Sequence, residues 1–158
     1  MVLRHRFTAH IRWTGAERGP TTDYAAYSRA YVVDIDGKPR LEGSADKAFR
    51  GDAARHNPED MLIAALSACH MLTYLAEAAR SGIQVLAYED EAEATMVLEG
   101  GGGRFTEAVL HPKVTVAAGT DLEAAEALHG AANRLCFIAN SVNFPVRHDA
   151  ETLVASAE

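Results

Sequence analysis

The stretch from Asn57 to Gly82 constrains this chain more than any other, because it reads as a helix apolar on more faces than a surface helix can hide. Asn57 is a good N-cap, and Pro58 suits the first helical position, where its missing N–H would have no intrahelical partner. Glu59 and Asp60 place negative charge at the end of the helix dipole that favours it. From Met61 to Ala79 the residues are almost wholly good helix formers, and Gly82 supplies a C-terminal stop. A helix that is apolar nearly all round needs cover, either from the centre of its own fold or from a partner subunit.

The remaining chain alternates strands and turns around that helix. Arg6 to Trp13 alternates polar and apolar residues as a half-buried strand does, until Gly15, Gly19 and Pro20 break the pattern. Tyr24 to Ile35 predicts a second strand, Asp36-Gly37 a hairpin turn, Lys38 to Gly43 the returning strand and Ser44 to His56 a loop. Beyond the helix, Ile83 to Leu98 predicts a strand and Gly100 to Gly103 a hairpin loop. Phe105 to Ala117 predicts the partner strand, and Pro112 within it points to an edge or a bulge. A second helix begins at Asp121, with Leu122, Ala125, Leu128, Ala132 and Leu135 at helical spacing, and Val142 to Val154 is a last extended segment. The order β-β-β-α-β-β-α-β implies an α+β fold, antiparallel sheet segments around a long central helix and a second helix, in a single domain over residues 1–158.

Composition narrows the function classes. The 158 residues are 48% apolar, enough for a sizeable core, and no apolar run is expected to be long enough to span a bilayer. No segment combines the basic, apolar and small-residue parts of a secretory signal, so a cytoplasmic location and no membrane partner are expected. Fifteen basic residues against 22 acidic ones leave a formal charge of −7, and no Lys/Arg cluster breaks that acidity. A nucleic-acid partner is therefore not expected.

Only two cysteines are present, Cys69 late in the predicted helix and Cys136 after the second one. Their separation rules out a CxxC motif. In a reducing cytosol a persistent structural disulfide is not expected, and the pair can be catalytic, as a peroxidatic and a resolving thiol brought together by the fold, or sensing, or simply buried. Gly100 to Gly103 lack the Lys and helix of a phosphate loop. The seven histidines are dispersed, and Cys69 and His70, as helix neighbours, project about 100° apart and so rarely chelate one ion. His129 and Cys136 share a helical face by spacing, a weak pairing, and no metal or cofactor is expected. Glu59 has two readings: a dipole-complementing first-turn residue, or a carboxylate that holds an arginine's planar fork beside a thiolate. Arg18, Arg29, Arg50 and Arg55 are the available partners. Ten helical residues separate Glu59 from Cys69 by about 15 Å, so the two share a site only if the helix breaks or another subunit supplies one of them.

With these residues in view, the chain resembles the osmotically inducible protein C and organic hydroperoxide resistance (OsmC/Ohr) family. The matching block runs from Phe49-Arg50-Gly51 through Asn57-Pro58-Glu59-Asp60-Met61-Leu62 to Leu66-Ser67-Ala68-Cys69-His70, with Gly82-Ile83 and Cys136-Phe137-Ile138-Ala139-Asn140-Ser141 as further matches. It differs in carrying His70 where the family commonly has Phe, and Phe137-Ile138 where a Pro follows the second cysteine. The resemblance implies a cofactor-free thiol peroxidase of oxidative-stress defence, an intertwined homodimer with active sites at the subunit interface, a peroxide substrate and an external dithiol reductant. It places Cys69 on the peroxidatic position, Cys136 on the resolving position and Glu59 on the carboxylate that orients a catalytic arginine. Arg29, in Tyr27-Ser28-Arg29, is the favoured arginine, followed by Arg18 before Gly19 and then Arg50. Two other readings stand beside this one: a dimeric binding protein for a hydrophobic small molecule with inert cysteines, and a redox sensor in which the same disulfide alters partner binding.

Overall fold

A computed structural model of the chain describes residues 2–156 and resolves into two compact units, the first ending at Met61 and the second beginning at Leu62. In the first, β1 (His10–Trp13), β2 (Tyr31–Asp34) and β3 (Leu41–Gly43) form an antiparallel sheet in that order. Trp13 pairs with Tyr31, which pairs in turn with Gly43. A Cβ on Gly43 would lie 2.2 Å from the Tyr31 ring, so the ring requires glycine opposite it. The strands are shorter than their sequence pattern predicts. Between Asp23 and Ser28 local bonds offer the backbone an alternative to a ladder. Asp23 Oδ1 accepts from the Ala25 N–H at 2.6 Å, and the Arg29 guanidinium donates to the carbonyls of Tyr24 and Tyr27.

The long helix, α1 (Pro58–Arg80), begins with a reciprocal cap. Asn57 Oδ1 accepts from the Asp60 N–H at 2.7 Å, and Asp60 Oδ2 accepts from the Asn57 N–H at 3.2 Å, so two otherwise unpaired donors are satisfied. It ends where Gly82 turns to φ 73° and the Ile83 N–H bonds back to the Ala78 carbonyl at 2.9 Å. Over its most apolar window α1 has a mean hydropathy of 1.4, so by length and composition it does meet the requirement for crossing a bilayer, contrary to the expectation that no run would. Its buried positions, Leu66, His70, Tyr74 and Ala78, recur every four residues and define one stripe, whereas Leu72 is exposed.

The second unit contains β4 (Val85–Asp90), β5 (Glu93–Glu99), β6 (Gly102–Leu110), β7 (Pro112–Val116), α2 (Leu122–Leu135), β8 (Val146–His148) and β9 (Glu151–Val154). Two three-stranded sheets result, β4-β7-β9 and β5-β6-β8, each with one antiparallel and one parallel pairing. The three long extended segments read from the sequence are each two strands. They break at residues 91–92, 111 and 149–150, which lie side by side in the pairing register. Asp90 fastens the break: its Oδ1 accepts from the His111 N–H at 2.7 Å and its Oδ2 from the Ser67 hydroxyl of α1 at 2.5 Å. Pro112 is neither on an edge strand nor in a bulge. It is the first residue of β7, the middle strand of its sheet, a position that tolerates proline.

Gly100 and Gly101, at φ 60° and 83°, make a two-residue hairpin turn between β5 and β6. Asp121 caps α2 through the Ala124 N–H at 3.2 Å. The core of this unit joins Tyr74 and Ala78 of α1, Val114 and Val116 of β7, and Ala125 and Ala132 of α2. The mixture of two helices with antiparallel and mixed sheets is the α+β class expected.

Candidate redox site

Both thiols lie in the second unit, and the fold brings them together. Cys69 is half-buried on α1 and Cys136 is buried just past the end of α2, with no disulfide between them. Cys136 has an extended backbone, ψ 113°, so it caps α2 and is not part of the helical face that spacing had joined to His129. The Ala139 N–H points at its sulfur from 3.4 Å. Burial pushes the Cys136 thiol up to about 11, and the neighbouring Cys69 thiol pushes in the same direction. At neutral pH Cys136 is a protonated thiol and Cys69 is the more accessible of the two.

Behind Cys69 lies a histidine cluster that sequence reasoning missed. His70 on α1 and His129 on α2 are fully buried with parallel rings 5.5 Å apart, and His70 Nε2 and His129 Nδ1 are hydrogen-bonded at 3.2 Å, one ring donating to the other. The His148 ring of β8 stands 5.6 Å from His70 and 5.9 Å from His129, and Tyr74 stacks on His129 at 4.2 Å. His70 is pushed down to about 4 by burial and then by His148, and His129 to about 4 by burial, His70 and His148. Both are neutral at pH 7 and bring no positive charge to the thiols. Each keeps one buried ring nitrogen with no partner among the described residues. No group of three His, Cys, Asp or Glu among those residues is placed to hold a metal ion. The only sequence signals were His70 beside Cys69 and the position of His129 on α2. Neither reveals that β8 brings in a third ring.

The first unit carries the charged residues singled out in the sequence. A cavity of about 430 Å³ is walled by Trp13, Tyr27, Tyr31 and Phe49, with Arg29 and Glu59 at its edge. Trp13 meets Tyr27 edge-on at 6.2 Å and donates its indole N–H to the Ser28 carbonyl at 2.7 Å. Glu59 Oε2 is buried with no hydrogen-bond partner among the described residues, as is the Tyr31 hydroxyl. Burial raises the Tyr31 pKa, and the Glu59 and Asp60 carboxylates raise it further. Arg29 shares this cavity with Glu59 but spends its donors on the Tyr24 and Tyr27 carbonyls, its guanidinium stacked 3.8 Å from the Tyr27 ring centre. Arg18 and Arg50 line a different cavity of the same unit, together with Arg29 and Arg55. Arg55 is paired with Glu42 at 3.1 Å and Asp52 at 3.5 Å. Helix α1 is continuous from Pro58 to Arg80, so no break in it brings Glu59 to Cys69.

An α+β chain with two neighbouring free thiols, one sheltered and one accessible, defines a class of thiol-bearing proteins. Comparison with known proteins gives the family. Residues 51–151 match the model of the OsmC-like proteins. An OsmC-like protein of unknown function from Vibrio cholerae is 31% identical, with 93% of this chain and 99% of that one covered at a TM-score of 0.84. The chain belongs to the OsmC-like family. Organic hydroperoxide resistance proteins from Elizabethkingia anophelis (20% identity, 97% and 100% coverage, TM-score 0.67) and Bacillus subtilis (21% identity, 92% and 98%, TM-score 0.61) share the fold. No curated protein matches the chain.

Proposed function

We propose that this protein is a cysteine peroxidase that reduces organic hydroperoxides in the cytoplasm as part of oxidative-stress defence. One observation carries the reading: two thiols remote in sequence are neighbours in the fold, near enough that Cys69 shifts the titration of Cys136, the accessible one on α1 and the sheltered one at the end of α2. The Cys69 thiolate attacks the distal peroxide oxygen, the O–O bond breaks, and the leaving alkoxide takes a proton to depart as alcohol. Cys69 is left as a sulfenic acid. The Cys136 sulfur then attacks the Cys69 sulfur, the sulfenic oxygen leaves with the Cys136 proton as water, and a disulfide remains. An external dithiol reduces it by exchange, so no cofactor is needed.

A thiolate needs a cation nearby, and the neutral histidines do not provide one. The reading takes it from an arginine oriented by Glu59 in a homodimer, with Cys69 from one subunit and the Glu59–arginine pair from the other. Arg29 is the preferred arginine because it lines the cavity that holds Glu59, whose Oε2 is an unpartnered buried acceptor. The aromatic walls of that cavity suit the carbon skeleton of an organic peroxide. The organic hydroperoxide resistance proteins that share this fold support the substrate class.

Peroxide consumption in the presence of a dithiol tests the assignment. Cys69→Ser should abolish turnover in a folded protein. Cys136→Ser should react once with peroxide and then stall or over-oxidise, because no neighbour captures the sulfenic acid. Near-wild-type turnover in Cys69→Ser would remove that residue from the chemistry.

A further inference from the structure

The second cavity of the first unit, about 390 Å³ in volume, gathers four arginines, Arg18, Arg29, Arg50 and Arg55. Two carboxylates, Glu17 and Asp52, also face it, but both are engaged: Asp52 with Arg55 at 3.5 Å, and Glu17 with Arg12 at 4.0 Å. Arg18, Arg29 and Arg50 have no carboxylate partner among the described residues. The guanidinium groups of Arg29 and Arg50 stand over the same ring, 4.9 Å and 5.9 Å from the centre of Tyr24. Two cations beside one ring repel each other, and in a chain of net charge −7 acidic partners are not scarce.

The backbone holds Arg50 there at a cost. It is the only non-glycine residue with positive φ among those described, at 65°. The turn around it is fixed from both sides. Asp46 caps the preceding 3-10 turn, and a Cβ on Gly51 would lie 1.5 Å from the Ala45 carbonyl oxygen. Strain of this kind persists where the surroundings over-determine it, and it concentrates at ligand sites. The cavity also holds two hydroxyls free to donate. The Ser28 oxygen accepts from the Ala30 N–H and the Ser44 oxygen from the Asp52 N–H, which leaves each O–H for a ligand.

We infer that this cavity is a binding site for an oxyanion, a carboxylate or phosphoryl group carried by a small molecule. Guanidinium forks match both groups in bidentate geometry, and the volume fits a small molecule. The inference shares Arg29 with the peroxidase reading but needs neither thiol, and Arg18 and Arg50 carry it without Arg29. It is therefore tested on the Cys69→Ser/Cys136→Ser chain, which binds whether or not the wild type turns over peroxide.

The experiment is titration calorimetry with inorganic phosphate, pyrophosphate and citrate at constant ionic strength. Saturable binding of one anion per chain is expected. Pyrophosphate binding tighter than citrate assigns a phosphoryl ligand, and the reverse order a carboxylate. Arg18→Gln should raise Kd about tenfold or more, the loss expected for hydrogen bonds to a charged group. Arg50→Gly, which suits the left-handed backbone and keeps the turn folded, should do the same, whereas Arg104→Gln on β6 should change nothing. Absence of saturable binding with all three anions, or binding that survives both cavity substitutions, overturns the inference.

Discussion

His70 and His129 illustrate how burial alone sets a residue's chemistry. Each is held near a pKa of about 4 against an ordinary 6.5, so in the folded chain both stay neutral through the range where an exposed histidine titrates. Between those two values the unfolded chain binds more protons than the folded one, and stability therefore rises with pH. The contribution is complete above pH 6.5 and is lost as pH falls toward 4, by about 3 kcal/mol for each histidine. Urea unfolding across that window should show a steep acid-side loss in the wild type and a shallower one in His70→Phe. His70→Phe leaves a single titrating ring in the core, so the slope reports the pair even if the variant is less stable at pH 7. Identical slopes would mean that the two rings do not titrate with folding. The same residue-scale reasoning separates the thiols. Burial and the neighbouring sulfur hold Cys136 protonated, and Cys69 is left as the accessible thiol.

Among the elements, the paired break in the strands of the second unit depends on one side chain. Asp90 accepts from the His111 backbone across the break and from Ser67 on α1. Asp90→Ala leaves both donors without their partner and should cost about 1–3 kcal/mol, measured by urea unfolding. Asp90→Asn, which keeps the acceptor for His111, should cost less. Equal stability of wild type and Asp90→Ala would show that the break needs no fastening. This element also marks the limit of what sequence can reveal. Both helix caps and the Gly100–Gly101 turn were legible because their signals are local: an acceptor side chain before a helix, or residues free to take positive φ. The break was not, since the alternation of residues continues on both sides of it and Asp90 acts on a residue of another strand. The Tyr24 segment misled for a related reason. Its tyrosines favour a strand, but Arg29 folds back to take its carbonyls. Likewise, Cys69, Cys136 and Glu59 stood out by motif and Arg29 was favoured among the arginines, whereas the aromatic walls that Arg29 and Glu59 share came only from the fold.

For the whole molecule, the exposed apolar residues set the question of assembly. Leu72 on α1 is 63% exposed and Phe137, beside Cys136, is 82% exposed. A helix with apolar side chains outside its buried stripe is expected to find cover in a second copy of the chain. Sedimentation equilibrium at low micromolar concentration should give twice 17.0 kDa, and a stable monomer there would defeat the shared-site arrangement of Glu59 with Cys69. The proposed dimer would complete the site, whereas the proposed chemistry rests on the two sulfurs. The most direct measurement is mass spectrometry of the reduced protein after one equivalent of an organic hydroperoxide, with unreacted thiols alkylated. The account predicts a disulfide joining Cys69 to Cys136, with no free thiol left on the reacted chains. Two alkylated cysteines after complete exposure to peroxide would contradict it.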